Sequence, residues 1–251
     1  MKLAPHSLQD KTAVVTGAAG TMGRAVVQSL FDLGCRVALV DIDASALNSL
    51  QQRYGARALS LPCDIRDAAD VLRAHDVLTR HWASVDILVN NAGVLSNHKI
   101  EATTEREWRQ VLSVNLDGAM WWSQCVVAGM KAAGWGRIVN VGSLASKTGG
   151  LTAGTSYAVS KGALAALTFS LARELAPHGV TANAVAPAYV RTPMVTEQLN
   201  ESQRQALLQQ IPVGRFCEPE EFAHVIAFLV SPLSGFITGE VIDLNGGLHM
   251  D

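Results

Sequence analysis

Short, mostly apolar segments alternate with helical patterns along nearly the whole of this 251-residue chain. At residues 12–16, 36–40 and 85–89, most apolar side chains occupy successive positions instead of every second one. A strand of this kind is buried on both faces, as strands are in a parallel sheet that helices cover on each side. The alternation therefore predicts a single doubly wound α/β domain over residues 1–251, with a central parallel sheet of about seven strands.

No repeat, low-complexity tract or flexible linker interrupts this alternation. Between residues 188 and 219 the pattern weakens, and because long segments outside a sheet are usually functional, we expect a substrate-binding lid there. Residues 144–156 and this lid should line the substrate pocket, with Met194 and Gln198 among the lining side chains. The predicted strands are 12–16, 36–40, 57–61, 85–89, 137–141, 179–185 and 240–244. The predicted helices are 21–33, 44–54, 67–81, 105–131, 157–176 and 201–210.

Composition narrows the class of protein. With 49% hydrophobic and 17% charged residues, the chain can bury a sizeable core. A net charge of −2 without a basic stripe argues against nucleic acid or a membrane surface as partner, and no window offers the ~20 apolar residues of a membrane span. The four cysteines lack metal-ligand spacing. We therefore expect reduced thiols, no metal site, and a cytoplasmic enzyme without a signal peptide.

A glycine-rich turn, Thr16-Gly17-Ala18-Ala19-Gly20-Thr21-Met22-Gly23, joins the first predicted strand to the first predicted helix. Small residues let the backbone approach a pyrophosphate, whose charge the free N–H groups of the helix N-terminus attract. The second strand ends at Asp41, where a carboxylate can bind the adenosine ribose and repel a 2′-phosphate. Capping explains Asp41 less well, because Asp43 and Ser45 are equally placed to cap the next helix. The two features predict a Rossmann-type site that takes NAD rather than NADP.

Tyr157 and Lys161 lie four residues apart in the predicted helix 157–176, so their side chains share one face. A free tyrosine has a pKa of about 10, and a neighbouring cation favours the phenolate. A unit charge ~4 Å away contributes roughly 4 kcal/mol, enough to bring the phenol near working pH. The pair predicts an acid–base catalyst for alcohol and carbonyl chemistry, although the same spacing is common in ordinary amphipathic helices.

With these motifs in place, residues 12–247 resemble the short-chain dehydrogenase/reductase superfamily. The segment Asn90-Asn91-Ala92-Gly93 is similar to the family's N-N-A-G segment, which supports the sheet and borders the adenosine. Cys63-Asp64-Ile65 matches the pair that contacts adenine, through the aspartate carboxylate and the backbone of the following residue. Residues 186–193 match the segment whose threonine binds the nicotinamide amide. The catalytic tetrad that the resemblance implies is Asn115, Ser143, Tyr157 and Lys161.

The resemblance also assigns roles within the tetrad. Tyr157 exchanges a proton with the substrate, Lys161 lowers the Tyr157 pKa and binds the nicotinamide ribose, and Ser143 stabilises the substrate oxygen. Asn115 holds a water that relays the proton. The chain departs from the family in two places, with Thr21 for the middle glycine of T-G-x-x-x-G-x-G and Ala188 for the glycine after Pro187. The implied cofactor-binding residues are Gly17, Thr21, Met22, Gly23, Asp41, Ile42, Asp64, Ile65, Asn91, Ala92, Gly93, Tyr157, Lys161, Pro187, Val190 and Thr192.

The resulting prediction is an NAD-dependent oxidoreductase that transfers hydride between a secondary alcohol, a sugar alcohol or small polyol, and the nicotinamide. The polyol rests on the NAD preference, because relatives that oxidise sugars and polyols tend to use NAD. A 3-oxoacyl thioester reductase matches the catalytic motifs almost equally, but such relatives usually favour NADPH and carry basic residues at the position of Asp41. A steroid or aromatic diol dehydrogenase and a non-enzymatic NAD sensor are further alternatives. Relatives with this layout form homotetramers through helices 105–131 and 157–176, and we expect the same here.

Overall fold

A computed structural model describes residues 8–193 and 201–250. Its centre is a seven-stranded, wholly parallel sheet in the order β3-β2-β1-β4-β5-β6-β7. The strands are β1 Thr12–Thr16, β2 Arg36–Asp41, β3 Ala58–Pro62, β4 Ile87–Asn90, β5 Gly136–Val141, β6 Val180–Pro187 and β7 Val241–Leu244. The predicted doubly wound α/β fold and its strand number are confirmed.

Helices cover both faces of this sheet. They are α1 Thr21–Asp32, α2 Ala44–Tyr54, α3 Ala68–Trp82, α4 Glu105–Leu112, α5 Gly118–Ala133, the single turn α6 Ala145–Thr148, α7 Thr155–Leu175, α8 Glu201–Gln210 and α9 Pro219–Val230. On one face α1, α2 and α9 enclose a core that contains Phe222, and on the other α3, α5 and α7 enclose a core around Trp122. Both side chains are fully buried, so each face of the sheet has a core of its own.

Several helices, α2, α3 and α4 among them, begin where a polar side chain caps them. Asp43 accepts a hydrogen bond from the Ala46 N–H at 3.0 Å, and Asp67 accepts one from the Ala69 N–H at 2.9 Å. Such caps satisfy N–H groups that have no partner within the helix. Asp43 thus takes the capping role at α2 and leaves Asp41 for other contacts.

The structure corrects the predicted elements in two places. The helix expected over 105–131 consists of α4 and α5 joined by a π-helical stretch, Ser113–Asp117, which contains Asn115. The sequence reading also missed α9, whose start carries a capping box between Glu218 and Glu221 with Pro219 in the first turn. Within residues 8–193 and 201–250, no helix is long and apolar enough to cross a membrane.

Candidate active site

The candidate site lies at the carboxyl ends of the strands, where the strand order reverses. From β1 the chain moves to β2 and β3 on one side, and then returns to β4 on the other. Ligands of doubly wound sheets bind in the crevice that this reversal opens. The glycine-rich turn, Asp41 and the N-N-A-G segment all follow strands that end here.

Close backbone contacts explain two glycines of the turn after β1. Gly17 has a φ of +66°, a conformation that residues with a side chain rarely adopt. A Cβ built on Gly23 would lie only 2.1 Å from the Gly17 carbonyl oxygen, so α1 can pack this closely only with glycine at that position. Thr21 is the first residue of α1 and Gly20 precedes it, so the helix N-terminus is presented to the crevice although the middle glycine is replaced.

Asp41 lies at the end of β2, beside this turn. Its Oδ2 accepts a hydrogen bond from the Ala19 N–H at 3.0 Å, and its Oδ1 accepts one from the Asp43 N–H at 3.2 Å. The side chain of the next residue, Ile42, is 70% exposed. A carboxylate next to an exposed apolar side chain fits an adenosine, whose ribose hydroxyls donate hydrogen bonds and whose base presents an apolar face.

Thr16 joins the segment after β4 to the glycine-rich turn through hydrogen bonds. The Thr16 hydroxyl accepts hydrogen bonds from the N–H groups of Asn91 and Ala92, both at 3.0 Å. The Asn91 side-chain amide in turn donates to the Thr16 carbonyl at 2.9 Å. The same segment continues to Gly93, which lies next to the side chains of Lys161 and Asn115.

Asp64, which the resemblance assigns to an adenine contact, already accepts hydrogen bonds from Arg66. Arg66 donates to the Asp64 carboxylate through Nη2 at 2.6 Å and through Nε at 2.9 Å, and this hydrogen bonding holds the pKa of Asp64 below its ordinary value. Ile65 is buried, and a Cβ added at Gly118 would come within 2.6 Å of its Cδ1. The Ile65 side chain therefore belongs to the core, which leaves its backbone for a cofactor contact.

Ser143, Tyr157 and Lys161 meet between β5 and α7. Ser143 follows β5, and its Oγ accepts a hydrogen bond from the Ala145 N–H at 3.1 Å. A hydrogen bond from Ser143 acts on the Tyr157 phenol. Lys161 is 3% exposed, and its Nζ donates to the Val141 carbonyl oxygen at 2.7 Å. The structure thus brings these three predicted residues together.

The protonation of the pair differs from the prediction. Burial raises the pKa of Tyr157 above its ordinary value, and only the hydrogen bond from Ser143 acts in the other direction. The ammonium of Lys161 is held by the Val141 carbonyl and lies 5.8 Å from the centre of the Tyr157 ring. Burial also lowers the pKa of Lys161 to about 8. Tyr157 is therefore a protonated phenol near neutral pH, ready to donate its proton.

Asn115 lies beside Lys161 but is fully engaged. Its Oδ1 accepts from the Val94 N–H at 2.8 Å, and its Nδ2 donates to the Val94 carbonyl and to the Ser160 hydroxyl, both at 3.0 Å. A Cβ at Gly93 would lie 3.3 Å from Lys161 Nζ and 3.4 Å from Asn115 Oδ1. Since the amide is fixed from both sides, Asn115 anchors the segment after β4 to α7, a role that the sequence reading did not foresee.

Ser160 was missed as well. Its hydroxyl accepts from Asn115 and donates to the Tyr157 carbonyl oxygen at 2.7 Å. Ser160 directly precedes Lys161 and follows Tyr157 by three residues, and this position in the sequence could have indicated that it belongs to the site.

The segment after β6 forms the far wall of the crevice. The Pro187 carbonyl accepts a hydrogen bond from the Leu144 N–H at 3.0 Å, and Val190 pairs with Cys217 as an isolated parallel bridge. Thr192 lies next to the end of the described range. The predicted lid 188–219 is described at 188–193 and 201–219, whereas Met194 and Gln198 lie outside the described residues. The described part has a small core of its own around Leu207, Ile211 and Phe216.

Comparison with known proteins places the chain in a family. Residues 17–249 match the family model described as enoyl-(acyl carrier protein) reductase. The 3-oxoacyl-[acyl-carrier-protein] reductase of Vibrio cholerae is 36% identical over 244 residues, which cover 97% of this chain and 99% of that protein. The corresponding reductase of Pseudomonas aeruginosa is 37% identical over 248 residues, with 97% and 99% covered. The chain belongs to the short-chain dehydrogenase/reductase superfamily. It is an oxidoreductase, and membership of this superfamily implies a nicotinamide cofactor.

Solved structures of this superfamily share the whole fold. A 3-oxoacyl-[acyl-carrier protein] reductase from Brucella melitensis superposes with a TM-score of 0.92 at 31% identity, covering 100% of this chain and 98% of that chain. A short-chain dehydrogenase described as glucose/ribitol dehydrogenase, from the same organism, gives a TM-score of 0.89 at 31% identity, with 97% and 98% covered.

The predicted polyol or sugar-alcohol substrate is wrong. The curated relatives that cover the full chain at about one-third identity are named 3-oxoacyl reductases, as in Vibrio cholerae and Pseudomonas aeruginosa. The inference failed because it drew the substrate from the NAD preference that Asp41 suggested, and the charge at that position carries no information about the substrate. The alternative from the sequence, a 3-oxoacyl thioester reductase, is the better supported one.

Proposed function

We propose that this protein is a 3-oxoacyl thioester reductase that uses NADH, converting the 3-oxo group to a 3-hydroxyl group on an acyl chain held by a carrier protein. The observation that carries the proposal is the full-length likeness to 3-oxoacyl-[acyl-carrier-protein] reductases at 36% and 37% identity. The protonation of Tyr157 is compatible with reduction, because the raised pKa keeps a proton on the phenol near neutral pH that it can pass to a carbonyl oxygen.

Each residue of the site has a task in this reduction. Tyr157 donates its proton to the 3-oxo oxygen, which becomes the product hydroxyl. With substrate bound, the Ser143 hydroxyl donates its one hydrogen bond to this oxygen instead of to Tyr157, and so stabilises the negative charge that develops there. Lys161, protonated below about pH 8, supplies a buried positive charge close to the site. When bound, the dihydronicotinamide supplies hydride to the 3-oxo carbon.

The cofactor preference follows from the ribose end of the crevice. Asp41 places a carboxylate beside the phosphate-binding turn, where a 2′-phosphate would meet like charge. Two basic side chains of this region are engaged elsewhere: Arg24 Nε donates to the Ala19 carbonyl at 2.7 Å, and the Arg66 guanidinium is bound to Asp64. NADH is therefore the cofactor we propose, with Asp41 accepting hydrogen bonds from the ribose hydroxyls.

The proposal also keeps three predictions from the sequence: that the lid 188–219 contacts substrate, that the enzyme forms a homotetramer, and that it works in the cytoplasm. The exposed apolar side chains Met120 on α5 and Phe169 on α7 are compatible with an interface between subunits.

The test is the initial rate of nicotinamide absorbance change with the purified protein. We expect oxidation of NADH in the presence of a 3-oxoacyl thioester, and a much lower rate with NADPH. A panel of secondary alcohols with NAD⁺ is the comparison. Turnover of an alcohol without any turnover of the thioester contradicts the proposed function, and faster turnover with NADPH contradicts the cofactor preference.

A further inference from the structure

Two segments on either side of the active site are fastened to each other by their backbones. Segment 96–99 follows β4, and segment 150–156 directly precedes Tyr157. The Gly154 N–H donates to the Ser96 carbonyl at 2.6 Å, and the Thr155 N–H donates to the His98 carbonyl at 3.0 Å. A Cβ at Gly154 would lie 2.4 Å from the His98 carbonyl oxygen. The two segments therefore pack so closely that only glycine fits at position 154.

Lys99 adds a side-chain contact to this junction. Its Nζ donates to the carbonyl oxygens of Gly150 and Ala153, both at 2.7 Å. Gly149 and Gly150 have φ angles of +72° and +82°, so this part of the loop has no regular structure to hold it in shape. Ala153 packs with Tyr157 in a small apolar cluster. The ammonium of Lys99 therefore fixes the loop that forms one side of the Tyr157 environment.

Glu107, on α4, makes the second set of contacts. Its Oε1 accepts hydrogen bonds from the hydroxyls of Ser96 and of Ser156, the latter at 3.3 Å, and its Oε2 lies 2.5 Å from His98 Nδ1. The bonds from Ser96 and His98 hold the pKa of Glu107 below its ordinary value. Ser156 is fully buried and immediately precedes Tyr157. One carboxylate thus ties the segment after β4 to the first turn of α7.

We propose that Lys99 and Glu107 are positioning residues that hold Tyr157 in the geometry needed for proton transfer. We call their contacts with segments 96–99 and 150–156 the clasp. Proton transfer requires the phenol within hydrogen-bonding distance of the substrate oxygen, and a displacement of about 1 Å can reduce a rate roughly 100-fold. Neither side chain touches the reacting atoms, so both act through the loop and the helix that carry Tyr157. The inference rests on the proton-donating role of Tyr157 in the proposed function.

The test compares disruptive with conservative variants. Lys99→Met and Glu107→Ala remove the contacts, and we expect kcat for thioester reduction to fall by about 10- to 100-fold, with little change in the KM for NADH. Lys99→Arg can still donate to both carbonyls, and Glu107→Gln still accepts from both serines through its Oε1, so both should recover most of the rate. Glu105→Gln is the matched control, because Glu105 lies on the same helix but its side chain is 77% exposed and pairs with Arg109.

A loss of kcat that the conservative variants do not recover, or an unchanged kcat in Lys99→Met and Glu107→Ala, overturns the clasp. Hydrogen exchange of the amides of residues 150–157 gives a readout that needs no substrate. Faster exchange of these amides in Lys99→Met than in wild type supports the clasp, and unchanged exchange overturns it. A wild-type enzyme that reduces no 3-oxoacyl thioester contradicts the proposed function, while the exchange measurement still decides whether the clasp exists.

Discussion

Lys161 carries a positive charge inside the protein, and this charge should have a measurable effect on stability. Burial lowers the pKa of Lys161 from 10.5 to about 8. At about 1.4 kcal/mol for each unit of pKa, the difference of about 2.5 corresponds to a cost of about 3 to 4 kcal/mol for burying the ammonium. We predict that Lys161→Met removes this cost and abolishes efficient turnover, since the buried charge is lost.

The cost of burying the Lys161 ammonium should make the free energy of unfolding rise with pH. Below about pH 8, the folded and unfolded chains both hold the proton on Lys161, and the cost is fully present. Between about 8 and 10.5, the unfolded chain holds a proton that the folded chain has released, so the stability of wild type rises with pH. Relative to Lys161→Met, the free energy of unfolding of wild type should therefore increase by about 3 to 4 kcal/mol across this interval.

Urea unfolding followed by tryptophan fluorescence measures this difference at each pH. Lys161→Arg serves as the control, because an arginine keeps its charge throughout the interval. Its stability relative to Lys161→Met should not change with pH. A wild-type curve that runs parallel to that of Lys161→Met would refute the reasoning, because Lys161 would then have the same pKa in both states.

Three further substitutions test other parts of the site. Tyr157→Phe should lower kcat by about 10²- to 10⁴-fold, as removal of a general acid does, while NADH binding measured by fluorescence titration stays intact; wild-type activity in this variant would remove Tyr157 from the mechanism. Asp41→Ala should raise the use of NADPH relative to NADH by roughly tenfold, the effect of losing about 1.4 kcal/mol of charge repulsion, and an unchanged ratio of the two kcat/KM values would mean that Asp41 faces away from the ribose. Gly23→Ala should weaken NADH binding strongly, because its Cβ would lie 2.1 Å from the Gly17 carbonyl oxygen; an unchanged Kd would show that the turn adjusts freely.

The sequence predicted the fold well because buried parallel strands have a simple signature. β1 matches the predicted segment 12–16, and α2 and α8 match their predicted bounds of 44–54 and 201–210. α9 was overlooked although its signals were present, namely Pro219 in the first turn and Glu218 and Glu221 in a capping box. The π-helical stretch at Asn115 has no comparable signal, because it depends on bonds to Val94 that only the folded chain brings together.

The sequence predicted which residues the candidate site brings together, but it did not predict their pKa values. Helical spacing correctly placed Tyr157 and Lys161 on one face of α7. It could not show that the ammonium of Lys161 is directed to the Val141 carbonyl, or that burial raises the pKa of Tyr157. Both depend on the packing of β5 against α7. The substrate was beyond the sequence for a similar reason, because the segments expected to line its pocket, 144–156 and 188–219, are separated by more than 30 residues of chain.

Transfer of an isotope from the cofactor tests the central claim most directly. Purified protein is incubated with a 3-oxoacyl thioester and NADH that carries deuterium at the reactive carbon of the nicotinamide, and the product is analysed by mass spectrometry. We predict a 3-hydroxyacyl thioester with deuterium at carbon 3 from wild type, and about 10²- to 10⁴-fold less of it in the same time from Tyr157→Phe. Unlabelled substrate recovered from wild type, with NADH unchanged, would contradict the assignment of this protein as a 3-oxoacyl thioester reductase.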